Sequence, residues 1–271
     1  MDGRIKKFIL ELQKKPRVRK ESGLYVIDGP KMAGELDPAD VEAVYVTKEF
    51  LNSGKQADCE QLLRELPYTV VQESEMKQMS DTVTPQGILV TARQKKTRGI
   101  RSITEHTGEP LLFILETIQD PGNLGTILRT AEAAGVTGII MNRETVDVYS
   151  PKVVRATMGA LLRVPFLYVE DLEKAAEDLA EGRYTDGRKI RLYAAHLKGA
   201  ADYASVDYRK ASAVMIGNEA HGLSDGLAEK ADCRILIPMC GKAESLNAAV
   251  AASVIGFEAA RQRRMDTDQN L

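Results

Sequence analysis

The sequence predicts an α/β protein in which a small α/β domain precedes a larger parallel sheet covered by helices on both faces. Three observations carry this. Short apolar runs alternate with segments of helical period along most of the 271 residues. Several of those runs end in Gly- or Pro-containing loops that lead directly into a helix, the strand–loop–helix pattern of parallel sheets. A stretch with five basic residues and no acid, from Thr91 to Arg101, divides the alternation into two sets. The expected domains are therefore residues 1–92, a basic linker at 93–108, and residues 109–271.

Composition narrows the class. A hydrophobic content of 44% and a charged content of 28% describe a chain that can fold a core. A formal charge of -2 gives no global signal for nucleic acid, so an RNA-binding surface has to be a local patch. Cys59, Cys233 and Cys240 stand at no metal spacing, and neither a disulfide framework nor a metal site is expected. The N-terminus lacks the apolar core of a signal peptide and no run reaches membrane-spanning length, so a cytoplasmic protein without a membrane partner is expected.

Residues 4 to 20 carry eight basic side chains against Glu11 alone, with Ile5, Phe8, Ile9 and Leu12 at helical spacing. They read as an amphipathic helix whose basic face is either solvated or in contact with phosphate. Gly23 to Pro30 is a strand ending in a turn, followed by a short helix through Leu36. Strands at Val41–Val46, Tyr68–Val71 and Gly87–Ala92, with helices at Gln56–Leu66 and Glu73–Met79, complete the first layer. The linker is either solvated or tracks a phosphate backbone.

In the second half, the strand Leu111–Leu115 leads through Asp120-Pro121-Gly122-Asn123 into a helix ending at Gly135. A strand at Gly138–Met141 follows, and Ser150-Pro151 is a cap-then-proline helix start. Further strands are expected at Val164–Tyr168, Arg191–Ala195, Ala213–Ile216 and Arg234–Ile237. Helices are expected at Leu172–Leu179, Asp225–Ala231 and Ser245–Arg261. Strands this apolar, between amphipathic helices, are buried on both faces.

Three strand ends stand out. Ile216-Gly217-Asn218-Glu219 runs on to Gly222-Leu223, Ile237-Pro238-Met239 leads to Ser245-Leu246-Asn247, and Asn123-Leu124-Gly125 precedes Arg129. In an open parallel sheet such ends converge on one crevice, where ligands bind. These three motifs, in the chain order that starts with Asn123, continues with Ile216 and ends with Ile237, resemble the signature motifs of the SPOUT-class RNA methyltransferases, specifically the TrmH (SpoU) family of ribose 2′-O-methyltransferases. The first domain looks like the ribosomal-protein-like substrate-binding domain often fused ahead of the catalytic one, with Asp28-Gly29 where that domain more often has Glu-Gly.

The resemblance implies a deep trefoil knot, S-adenosylmethionine as methyl donor, an RNA substrate and a homodimer whose active site draws on both protomers. It implies a cofactor pocket built from backbone groups at Gly217, Ile237 and Leu246, with Asn218 and Met239 beside them. The catalytic set it implies is Arg129, Glu219, Asn123, Ser245 and Asn247. Read as residues alone, Asn123 and Ser245 are also ordinary helix caps. Arg129 either gives up a proton beside an RNA phosphate or stays charged as a phosphate clamp, and Glu219 suits a hydrogen-bond acceptor or base. His221 is peripheral, matching no fixed position of the family, and Arg155 is a further RNA-contact candidate.

A nicotinamide-dependent dehydrogenase is disfavoured, because no Gly-x-Gly-x-x-Gly follows an early strand. Methylation of a base and a non-catalytic RNA-binding or ribosome assembly factor with the same fold are weaker readings, since each principal site position holds the residue type that the family uses for ribose chemistry. By analogy with the fused domain the expected substrate is ribosomal (23S) RNA, with transfer RNA as the alternative.

Overall fold

A computed structural model gives the structure of the protein and describes residues 1–95, 97, 99–105, 108–199, 201–218 and 220–269. The chain forms two compact units: Met1–Lys96 with Asp147–Leu162, and Thr97–Val146 with Arg163–Leu271.

The first unit is built on a four-stranded sheet of Leu24–Asp28 (β1), Val41–Thr47 (β2), Tyr68–Val71 (β3) and Ile88–Arg93 (β4), in the order β1-β4-β2-β3. β4 runs antiparallel to both its neighbours, whereas β3 is parallel to β2. Residues 4–20 form two helices instead of the single one expected, Gly3–Lys14 (α1) and Pro16–Ser22 (α2). The break falls before Pro16, which has no N–H to continue the first helix and opens the second. Of the four spaced apolar residues only Ile9 and Leu12 are buried, while Ile5 and Phe8 stay 41% and 37% exposed. The core gathers Ile9 and Leu12 with Val26, Tyr45, Met76 and Leu89.

Residues 147–162 complete this unit. Buried Arg19 donates to Asp147 at 2.8 Å and to the carbonyls of Leu12 and Gln13 at 2.6 and 3.2 Å. The rings of Tyr25 and Tyr149 pack with centroids 4.7 Å apart. Pro151–Thr157 is a helix starting where Ser150-Pro151 indicates, but Ser150 makes no cap bond and its hydroxyl is buried without a partner. Arg155, on that helix, pairs with Asp81 at 2.7 Å.

The second unit is a seven-stranded parallel sheet of Leu111–Leu115 (β5), Gly138–Asn142 (β6), Phe166–Val169 (β7), Arg191–Ala195 (β8), Ala201–Asp202 (β9), Ser212–Ile216 (β10) and Cys233–Leu236 (β11), ordered β7-β6-β5-β10-β8-β11-β9. Every residue of β5 and β10 is buried, as central strands covered on both sides require. β7 begins after Pro165, and the two-residue edge strand β9 has too little periodicity to be read in advance.

Two helix starts differ from expectation. The helix Pro121–Ala134 is capped by Asp120, whose side chain accepts from the N–H of Asn123 at 2.8 Å, so Asn123 is its third residue and not its cap. The last helix is Ala248–Gln269 and not Ser245 onward, because Asn247 Oδ1 accepts from the N–H groups of Ala249 and Val250 at 2.9 and 3.3 Å. A side-chain carbonyl satisfying two orphan donors is the stronger cap. This long helix packs on Pro121–Ala134, with Thr130 and Ser253 hydroxyls 2.7 Å apart and a close approach at Gly256, where a Cβ would stand 3.0 Å from the Phe113 ring. Arg263 lies within the helix, before its last turn, and its guanidinium donates to the carbonyls of Tyr208, Glu109, Pro110 and Lys210.

Candidate active site

The C-terminal ends of β10, β8 and β11 enclose a cavity of about 580 Å³. Of the expected site residues, Gly217, Asn218, Ile237, Met239, Ser245 and Leu246 line it. Ile216, Ile235 and Ile255 add apolar wall. The sequence reading missed the contribution of β8, whose end brings Ala195 and His196 into the same lining. Nothing after β8 carries a motif; the signal was its place in the sheet, between β10 and β11. His221 also lines the cavity, so it stands closer to the site than its lack of a family position suggests.

Gly217 is required by the fold of its own loop. A Cβ there would stand 2.1 Å from the carbonyl carbon of Gly222 and 2.2 Å from the nitrogen of Leu223. The loop after β10 folds back this tightly because Asn218 and Gly222 exchange both backbone hydrogen bonds, at 3.0 and 2.9 Å, with Gly222 at φ +71°. The side chain of Asn218 is spent on the same fold. Its Oδ1 accepts from the N–H groups of Ala220 and His221, and its Nδ2 donates to the carbonyl of Thr117 at 2.9 Å. Asn218 therefore shapes the cavity wall.

Thr117 lies just beyond β5 in the left-handed region at φ +56°, a costly conformation for a β-branched residue. A clamp holds it there. Asn142 Oδ1 accepts from the Thr117 N–H at 2.8 Å, Asn142 Nδ2 donates to the Thr117 hydroxyl at 2.7 Å, and Thr145 donates to Asn142 at 2.8 Å while accepting from the N–H of Ile118. Next to it, the Glu116 carboxylate accepts from the N–H and hydroxyl of Ser224, each at 2.7 Å. The segment leading into Pro121–Ala134 is thus fastened to β6 on one side and to the loop after β10 on the other.

That helix supplies the rest of the set. Asn247 Nδ2 donates to Asn123 Oδ1 at 2.9 Å, joining two expected site residues that lie 124 positions apart. Arg129 is exposed and makes no hydrogen bond or ion pair with any described residue. Neither it nor the Asn123–Asn247 pair lines the cavity. Glu219 lies outside the described residues. The site thus consists of an apolar pocket with a polar rim, an amide pair, and an uncommitted guanidinium on a helix that starts beside the pocket loops.

Residues 110–257 match the SpoU rRNA Methylase family, and residues 4–90 match the MRM3-like substrate binding domain. Over 254 residues the chain is 29% identical to the 23S rRNA (guanosine(2553)-2′-O)-methyltransferase RlmP of Bacillus subtilis, across 88% of this chain and 89% of that one. It superposes on the SpoU methyltransferase AviRb from Streptomyces viridochromogenes, in complex with AdoMet, with a TM-score of 0.85 at 26% identity over 97% of this chain and 100% of that one. An AdoMet-bound rRNA methyltransferase from Sinorhizobium meliloti matches with a TM-score of 0.79 at 31% identity, over 96% and 95% of the two chains. The parallel sheet, the cavity at its strand ends and the match over residues 110–257 agree, and the chain belongs to the SpoU rRNA Methylase family.

Proposed function

We propose that this chain transfers the methyl group of S-adenosylmethionine to a ribose 2′-hydroxyl of ribosomal RNA, in the large-subunit class of substrate that its Bacillus relative modifies. The observation that carries this is the cavity beside the Asn123–Asn247 pair. At about 580 Å³ the pocket is of the size that holds a nucleoside-sized ligand, and Ile216, Ile235, Ile237, Leu246 and Ile255 suit the faces of a purine. His196, His221, Glu244 and Ser245 give it polar groups for a ribose and an amino-acid tail.

S-adenosylmethionine supplies a methyl group already activated on a sulfonium, which leaves the chain two tasks, alignment and removal of a proton from a weakly acidic alcohol. The amide pair of Asn247 and Asn123 is placed to orient the target nucleotide. Arg129 remains protonated, clamps the phosphate next to the target ribose and stabilises the oxyanion that forms as the proton leaves. Glu219, by its position in the motif, accepts that proton or orients the hydroxyl.

Family membership supports the trefoil knot and the homodimer. Val250 and Phe257, 45% and 47% exposed on one line of the last helix, suit burial against a second copy. A cytoplasmic activity is in keeping with an RNA substrate of this class.

The test is transfer of labelled methyl from S-adenosylmethionine to unmodified ribosomal and transfer RNA, by wild type and Arg129→Ala. Label recovered as 2′-O-methyl nucleotide in ribosomal RNA, and lost in the variant, is the expected result. Label confined to transfer RNA would move the substrate, and no transfer from a protein that also fails to bind the cofactor would sink the enzyme reading.

A further inference from the structure

A surface that grips a polyanion is made of cations that the fold has not already used. In α1 and α2 the cations sort cleanly. Arg19 is 2% exposed and fully engaged with carbonyls and Asp147. Lys6 is bonded to Gln78, and Lys15 is paired with Glu11 at 2.9 Å. The side chains of Lys7, Lys14 and Lys20 make no hydrogen bond or ion pair with any described residue. Arg4 is 95% exposed, its nearest carboxylate oxygen being that of Asp2 at 3.9 Å.

The cations of α1 that are unpaired or, like Arg4, only loosely paired are aligned. With about 100° of turn per residue, Arg4, Lys7, Glu11 and Lys14 form one stripe along α1, opposite the buried Ile9, Leu12 and Gln13. The one acid in the stripe is neutralised by Lys15. Along its edge Phe8 stands one turn from Arg4, a ring 37% exposed although a core is available on the other side of the helix. A cationic row edged by an unburied aromatic ring is the chemistry that binds single-stranded nucleic acid, cations on phosphates and the ring under a base.

We propose that this outer face of α1 is an RNA-contact surface, with Arg4, Lys7 and Lys14 on successive phosphates and Phe8 stacked on an unpaired base. The proposal rests on the reading of the substrate as RNA. It disfavours a membrane, because an interfacial helix needs a broad apolar face and α1 exposes only Ile5 and Phe8 beside its cations.

The experiment uses the full chain, a labelled RNA stem–loop and the same stem without its loop. Affinity is measured by fluorescence anisotropy between about 50 and 200 mM KCl. Lys7→Gln/Lys14→Gln should weaken both RNAs and lower the salt slope by about two units, one per phosphate contact. Phe8→Ala should weaken the stem–loop by about 5-fold or more with an unchanged slope, and leave the bare stem unaffected. Binding of S-adenosylmethionine, followed by calorimetry, should be the same in all, which shows that the second unit is intact. A double variant with wild-type affinity and slope overturns the proposal, as does a wild type captured through these lysines by phosphatidylglycerol vesicles and not by RNA. If wild type methylates ribosomal RNA and the double variant does so with the same KM for RNA, the surface fails while the function stands. If wild type neither methylates nor binds RNA, the function fails and the surface with it.

Discussion

The two units are made from the same elements and use them in opposite ways. In the second unit β5 and β10 are buried along their whole length, and the cavity opens at the end of β10. In the first unit β3 has three exposed residues of four, and α1 turns a charged face outward. At the ends of those strands the half-buried Asn142, Asn218 and Glu116 are all engaged in holding loops. Where burial is partial, lysines are left over to meet another molecule. One unit specifies an atom-scale geometry and the other provides an electrostatic surface.

If that division is right, the largest effect should come from the second unit without any change in folding. Arg129→Ala should lower methyl transfer by about 100-fold or more while the affinity for S-adenosylmethionine, by calorimetry, is unchanged. Arg129→Lys retaining most activity would argue against a bidentate clamp. Gly217→Ala comes next, since its methyl would have to displace the backbone of Gly222 and Leu223. A stability loss of about 2 kcal/mol or more in urea melts, with cofactor affinity reduced together with it, is expected.

Asn142→Ala removes the clamp on Thr117 and should cost about 2 kcal/mol. Thr117→Gly in that background should restore about 1 kcal/mol, because glycine adopts a positive φ freely. A lack of coupling between the two substitutions in urea melts would show that the clamp does not hold the strained residue.

The smallest effect belongs to the first unit. Burial raises the Asp28 carboxyl above its ordinary value of 3.8, against the opposing hydrogen bonds of Ser80 and Thr82 and the charge of Arg155. A group with a raised folded-state pKa contributes stability at low pH that is lost as pH rises through the raised value. Asp28→Asn, which cannot ionise, should therefore gain in melting temperature relative to wild type between pH 4 and pH 7. A constant difference across that range would mean that Asp28 is as well solvated as in the unfolded chain.

The strands were legible because buried parallel strands are nearly continuous apolar runs, and the six expected site residues that line the cavity, the five pocket residues and Ser245, were legible through motifs. The clamp was not. Thr117 and Asn142 are 25 positions apart and meet only because β5 and β6 pair, and nothing in the composition of either loop marks a left-handed threonine. Two cap assignments went astray for a local reason, with Asp120 and Asn247 each competing with a plausible neighbour for the same orphan N–H groups. His196 was missed because it comes from a strand without a motif. The split of cations on α1 and α2 into used and unused also needed coordinates, since Arg19 and Lys20 look alike in sequence and only Arg19 is buried.

The passage of residues 147–162 into the first unit has a consequence for synthesis. As the chain leaves the ribosome, residues 1–96 emerge without Asp147, the partner of Arg19, and without the ring of Tyr149 that covers Tyr25. Translation must run on through β5 and β6 before these arrive, so the first unit cannot be finished when its own N-terminal stretch is out. A nascent chain halted before residue 147 should stay open to protease in its first unit, and one halted far enough beyond residue 162 to clear the exit tunnel should resist. The two units mature as interleaved pieces of one assembly process.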